Sequence, residues 1–375
     1  MKTKNLFTIC LLSFVFCLVS CTNKSPQTLK DAYSQKFLIG VAVNTDISSE
    51  KDTLSVAVVK QNFNSIVAEN CMKSMFLQPE ENNFFWNDAD AFVNFGQENN
   101  MTIIGHCLVW HSQAPRWFFV DENGADVSRE VLIERMKNHI TAVMTRYKGK
   151  IRGYDVVNEA VNDDGTLRNS KFLQIIGEDY LPLAYKFAHE ADPDAELYYN
   201  DYSTAIPAKR DGIVRLVKAV QDAGIKVTAV GMQSHVGIDY PELAEYEKSI
   251  QAFIALGCNV NFTELDVNVL PQPNNNIGAD VSAQFDFTEF SKTMNPYTEA
   301  LPDSVYQKFE QRYLDLFGLY LKYADHIDRV TLWGVADGDS WLNNFPVPMR
   351  TNYPLLFDRN YQAKPIVEKL IKLAK

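Results

Sequence analysis

IRGYDVVNEAV, residues 151–161, and NVNFTELDVNV, residues 259–269, are short β-branched runs of the kind that forms strands buried on both faces. Each carries carboxylates and amides where further apolar residues would be expected: Asn158 and Glu159 in the first, Glu264 and Asp266 in the second. A carboxylate buried without partners is costly, so two such clusters at strand ends require an explanation.

Outward from these two runs, apolar segments alternate with longer amphipathic ones from residue 37 to the end. Strands are expected at 37–44, 65–70, 101–110, 151–159, 195–202, 229–235, 260–266 and 329–337. Helical stretches lie between them, for example 128–147 and 209–224, the latter closing on Gly224 as a C-cap. Eight strand–helix units without a Gly-rich phosphate loop after the first strand predict an α/β fold, a (β/α)8 TIM barrel, rather than a doubly wound sheet. The polar residues gather at the carboxyl ends of the strands: Glu69 and Asn70, His106 and Trp110, Asn158 and Glu159, Gln233 and His235, Glu264 and Asp266, and Trp333. That rim is where such a barrel keeps its chemistry. Residues 271–302 form a long polar loop after the seventh strand that should overhang the cleft.

Residues 1–20 combine Lys2 and Lys4 with an apolar run and read as an export signal. The LVSC sequence ending at Cys21 resembles a bacterial lipobox, with Cys21 lipidated to anchor the exported chain in the cell envelope; an ordinary cleaved signal with an incidental cysteine is the alternative. Residues 21–36 are expected to be a tether and 37–375 the catalytic barrel. Removal of Lys2 and Lys4 takes the net charge from −11 to −13. So acidic a chain is a poor partner for nucleic acid, or for anionic membrane except through a lipid anchor, and suits a neutral ligand. Cys71, Cys107 and Cys258 do not make a disulfide framework, although Cys71 and Cys107 follow neighbouring strands and a bridge between them is left open. Neither a cofactor nor a metal is expected, and the chain is expected to be a monomer.

Two glutamates across a cleft can hydrolyse a glycosidic bond: one protonates the leaving oxygen while the other meets the oxocarbenium-like carbon. Glu159 would need its pKa raised, by partial burial and by the charge of Glu264. Period-two spacing puts Gln233 and His235 on one face, and Glu264 and Asp266 likewise, which makes a chain from Asp266 through His235 to Glu264 reasonable. Trp110, Trp333 and Trp341 together at the rim suit sugar faces, although any one alone would as easily be core. Lys73 could be solvated, but with Glu69 and Asn70 it offers donors and acceptors for vicinal hydroxyls. Trp86 and Trp117 read as packing residues.

ENCMK (69–73), GHCLVWHSQAPRW (105–117), YDVVNEA (154–160), NDYS (200–203), GMQSH (231–235), TELD (263–266) and WGVADGDSW (333–341) resemble, in order and spacing, the glycoside hydrolase family 10 endo-β-1,4-xylanases. The resemblance implies retaining hydrolysis of xylan and xylo-oligosaccharides, with Glu159 as acid/base and Glu264 as nucleophile. It further implies that Asn158, Gln233, His235 and His106 line the reacting subsite. Glu69, Asn70 and Lys73 would hold the next sugar toward the non-reducing end, and Trp110, Trp333 and Trp341 would form aromatic walls. Tyr154 stands where the family usually has tryptophan, Ser203 where asparagine is common, and Cys71 and Cys107 where small or hydroxylated residues are usual. A β-1,4-glucanase or mannanase of the same clan, or a non-catalytic glycan-binding envelope protein, are the alternatives. A metal-dependent hydrolase lacks ligand clusters in the sequence.

Overall fold

The computed structural model describes residues 28–273 and 291–375. The export signal, Cys21 and most of the 271–302 loop lie outside the described residues. Among the described residues there are nine parallel strands: β1 (Leu38–Val43), β2 (Ser65–Ala68), β3 (Thr102–Trp110), β4 (Gly153–Asn158), β5 (Glu196–Asp201), β6 (Ala229–Met232), β7 (His235–Gly237), β8 (Asn259–Asn268) and β9 (Ile327–Leu332). β1 to β6 pair in sequence order, β9 pairs with both β1 and β8, and pairing of β6 with β8 closes the sheet into an eight-stranded barrel. Helices such as Arg129–Arg146, Tyr180–Ala191, Pro207–Asp222 and Asp303–Lys322 lie between the strands.

The sheet is buried on both faces, which is why its strands are predominantly apolar. Its outward side chains pack into a large core with the helices, while Ala42, Val67, Ile104, Tyr198 and Ala229 fill the barrel interior beneath Trp333. Arg329 of β9 lies over the Tyr198 ring at 4.6 Å, so the barrel floor is closed by a cation on an aromatic face. Helix starts follow local rules: Ser128 accepts from the Val131 amide, and Gly224 takes a φ of 82° just past the Pro207–Asp222 helix.

Two expectations change. Residues 28–36 are not a tether: Leu29–Ala32 is helical, Thr28 and Asp31 form a capping box, and Leu29 and Tyr33 are fully buried. The Tyr33 hydroxyl donates to Leu370 O at 2.8 Å and fastens this segment to the C-terminal helix Pro365–Leu373. The expected sixth strand is broken, since β6 stops at Met232 and β7 begins at His235. Ser234 between them has a φ of 68°, and its hydroxyl lies 2.8 Å from Met232 O and 2.6 Å from the Tyr246 hydroxyl. β8 gains one residue in register across this break, pairing Met232 with Phe262 but His235 with Asp266.

Candidate active site

Strand register brings the polar ends together. His106 lies beside Asp155, Trp110 beside Asn158, and Asn158 beside Asn200. The His106 Nδ1 is 2.8 Å from Asp155 Oδ2 in a fully buried pair, which orients the ring at the top of the barrel. Above these residues opens a cleft of about 510 Å³. Its walls include Glu69, Asn70, Lys73, His106, Trp110, Asn158, Glu159, Gln233, His235, Glu264, Trp333 and Trp341, all expected from the sequence.

Glu159 follows β4 with a left-handed φ of 55°, and its amide donates to Asn200 O at 2.9 Å. The carboxylate receives only neutral donors: Trp110 Nε1 at 2.8 Å and Gln233 Nε2 at 2.9 Å. Burial pushes its pKa above the usual carboxylate value; of the neighbouring charges, Asp201 raises it ahead of Glu264. The expected repulsion from Glu264 is therefore the lesser contribution.

Glu264 is equally buried but differently partnered. His235 Nε2 lies 3.1 Å from one oxygen, and Asn200 Nδ2 donates to the other at 2.9 Å. On its far side, His235 Nδ1 is 2.9 Å from Asp266 Oδ2, which also accepts from Trp341 Nε1 at 2.8 Å. Asp266 lies behind the cleft wall as the support of the histidine. Burial opposes the His235 charge, but Asp266 and Glu264 outweigh it and push the histidine up to about 10. Burial also opposes ionisation of Glu264, yet the bond from His235 and the charges of His106 and His235 hold it below the usual range. One cleft thus holds a carboxyl that binds its proton more tightly than usual and another that releases it more readily, the contrast acid-assisted displacement requires.

At one end of the cleft, Lys73 Nζ donates to Asn70 Oδ1 and Gln113 Oε1, both at 3.0 Å, and stands 5.1 Å from the centroid of the Trp110 ring. Its side chain is 7% exposed, so it is not a solvated lysine; burial lowers its pKa against the pull of the nearby carboxylates. Burial likewise raises Glu69. Trp333 meets His106 edge-on at 5.6 Å, and Trp341 stacks on Phe345 at 5.4 Å.

A family model, glycosyl hydrolase family 10, matches residues 28–373. The chain belongs to glycosyl hydrolase family 10. It is 53% identical over 364 residues to endo-1,4-beta-xylanase A of Xylanibacter ruminicola, covering 96% of this chain and 98% of that one. Its fold matches that of a family 10 endoxylanase retrieved from a sugarcane soil metagenome, with a TM-score of 0.86 and 44% identity, over 93% of this chain and all of the other. A variant solved in complex with xylotriose matches with a TM-score of 0.81 and 31% identity, over 92% and 99% of the two chains.

Within this family 10 site, several residues are partners that sequence reasoning did not single out. Asn200, fully buried, bonds Glu264 and lies 3.0 Å from the Asn158 amide; Gln113, Tyr202, Asn344 and Phe345 complete the walls, together with Ser203, which stands where asparagine is common. Asn200 and Tyr202 fall within the quoted NDYS, and Gln113 within GHCLVWHSQAPRW, so for these the signal was the segment rather than the residue. Trp110 and Trp341 are indole donors to carboxylates as well as walls. Cys71 and Cys107 are free thiols, so the bridge left open by their spacing is not formed; burial pushes Cys71 up to about 12 and Cys107 well above its usual value. Tyr154 belongs to the helix–sheet core, away from the cleft. Trp117 packs there too, donating to Gln78 O, and Trp86 stacks on Phe84.

Proposed function

We propose that this protein is an endo-acting β-1,4-xylanase that cleaves xylan by retaining double displacement, with Glu159 as acid/base and Glu264 as nucleophile. The observation that carries the reading is the contrast between the two carboxyls: Glu159 held by neutral donors, Glu264 by a histidine backed by Asp266. In the first step Glu264 attacks the anomeric carbon while Glu159 gives its proton to the departing glycosidic oxygen. The C–O bond to the leaving sugar breaks with its electron pair on that oxygen, and a glycosyl ester to Glu264 forms. Once esterified, Glu264 no longer repels a charge on Glu159, which then takes a proton from water as that water attacks the anomeric carbon; the ester C–O bond breaks with its electron pair returning to Glu264 as carboxylate. Asn158, Gln233, His106 and His235 contact the reacting xylose. Glu69, Asn70 and Lys73 hold its non-reducing neighbour, with Trp110, Trp333 and Trp341 against the sugar faces.

The relatives' names as xylanases support a pentose polymer over the glucan and mannan alternatives, and Lys73, Trp333 and Trp341 line the cleft that would hold it. Two ionisable glutamates with opposed surroundings are more than a glycan-binding wall needs. The LVSC sequence supports export and attachment to the cell envelope through a lipid on Cys21, with the chain acting as a monomer. Reducing-sugar release from plain xylan, decorated xylan and cellulose in parallel tests the substrate. Xylan turnover at least tenfold above cellulose is expected, and comparable release from cellulose would overturn the assignment.

A further inference from the structure

The Pro207–Asp222 helix carries an unusual group. Lys209 has no exposed surface, and its ammonium lies 3.0 Å from Oδ1 of Asp201, itself fully buried, and 3.2 Å from Asp163. A buried ion pair contributes little net stability compared with well-packed apolar side chains, so stability alone does not account for this one. Its surroundings lead to Glu159. Asp201 Oδ2 accepts from the Tyr199 hydroxyl and, at 3.4 Å, from the Val161 amide; the Tyr199 hydroxyl accepts from the Ala160 amide at 3.0 Å. Arg168 Nε donates to Glu159 O at 2.8 Å and its Nη2 to the Tyr202 hydroxyl at 2.7 Å, while Lys209 Nζ stands 3.3 Å from the Tyr202 ring centroid. The strained turn after β4 is thereby tied at three consecutive residues to one charge cluster.

The helix bearing Lys209 is itself docked on the following loop. A Cβ on Gly212 would meet Gly165 O at 2.5 Å, and one on Gly165 would meet Ala208 O at 2.3 Å, so only glycine permits this approach. Arg215 donates to Gly165 O at 2.8 Å.

We propose that Lys209 is a positioning residue of the reaction: by neutralising Asp201 it fixes the Glu159–Val161 turn and sets the electrostatic field in which Glu159 carries its proton. The proposal rests on the reading of Glu159 as the acid. The charged and titratable groups facing Glu159 are Asp201 from β5, Glu264 from β8, Cys107 from β3, Lys73 from the turn after β2 and Arg168 from the loop after β4. Those facing Asp201 are Lys209, Arg168, Tyr180, Tyr199 and Tyr202.

The test compares kcat/KM against pH for Asp201→Asn, Lys209→Met and the double variant. One substrate is a xylo-oligosaccharide; the other is an aryl xylobioside whose leaving group needs no proton. Asp201→Asn strands the Lys209 cation, favours ionised Glu159 and should move the basic limb on the oligosaccharide down by roughly half a pH unit or more. The double variant, with neither charge, should bring that limb back toward wild type. Lys209→Met should lower kcat/KM on the oligosaccharide roughly tenfold or more, with under about a threefold loss on the aryl substrate. An unmoved limb in Asp201→Asn, or equal losses on both substrates for Lys209→Met, overturns the proposal. If Asp201→Asn does not fold, the substrate comparison on Lys209→Met decides; if neither single variant folds, the double variant decides, and a limb more than about half a unit from wild type would refute a mutually neutralising pair. Glu159→Ala is the reference: equal loss on both substrates there would sink the acid assignment, whereas a spared aryl substrate leaves only the role of Lys209 in question.

Discussion

The β4–β5 side of the barrel and the β6–β8 side hold the same functional group in opposite states. On the first, Glu159 meets an indole, an amide and, behind its backbone, a neutralised ion pair; on the second, Glu264 meets a histidine that Asp266 keeps charged. Exposure does not separate them, since the residues are 6% and 5% exposed. The difference teaches that in this fold the choice of partner, rather than depth, decides which carboxyl keeps its proton.

The comparison breaks most completely at Glu264. Glu264→Ala should lower kcat by roughly 10⁴-fold or more on every substrate while circular dichroism stays native. Next, Glu159→Ala should lower kcat/KM on xylan by roughly 10³-fold yet leave an activated aryl xylobioside within about tenfold of wild type, because only the first leaving group needs a proton. His235→Gln should cost roughly 10- to 100-fold, by analogy with lost support of a buried ligand, and should move the acidic limb of the kcat/KM profile to higher pH as Glu264 loses its cationic partner. The smallest effect is on stability. Glu159 binds its proton more tightly folded than unfolded, so its contribution turns unfavourable as pH rises above its ordinary value of 4.5 and through the folded value. Glu159→Gln should then raise Tm at neutral pH by roughly 2 °C or more, with no gain at pH 3. His235 declines in the same direction over a higher pH range: its favourable contribution is complete below 6.5 and disappears by about 10, so Tm of His235→Gln and wild type should converge toward alkaline pH.

The barrel was legible because its strands are buried on both faces and therefore largely apolar, without interruption at residues 38–43 and 229–232. The rim was legible because carboxylates, amides and tryptophans gather at the carboxyl ends of several of those runs. Less could be read where contacts depend on register. Asn200 reaches Glu264 across two strands, and the slip between β6 and β7 that brings His235 level with Asp266 leaves no local mark beyond Ser234. Lys209 stands in a cation-rich stretch with no local sign of burial; its ion pair with the buried Asp201 shows that it points inward. The segment from Thr28 looks like a linker because Tyr33 finds partners far along the chain, in Phe317 and Leu370.

The most direct test of the divided roles is to trap the intermediate. A 2-deoxy-2-fluoro xylobioside with an activated leaving group slows the second step more than the first, and peptide mass spectrometry of the inactivated protein locates the sugar. The bond is predicted on Glu264, with one glycosyl unit per chain. A label on Glu159, or an unlabelled enzyme whose first product has the inverted anomeric configuration, would contradict the account.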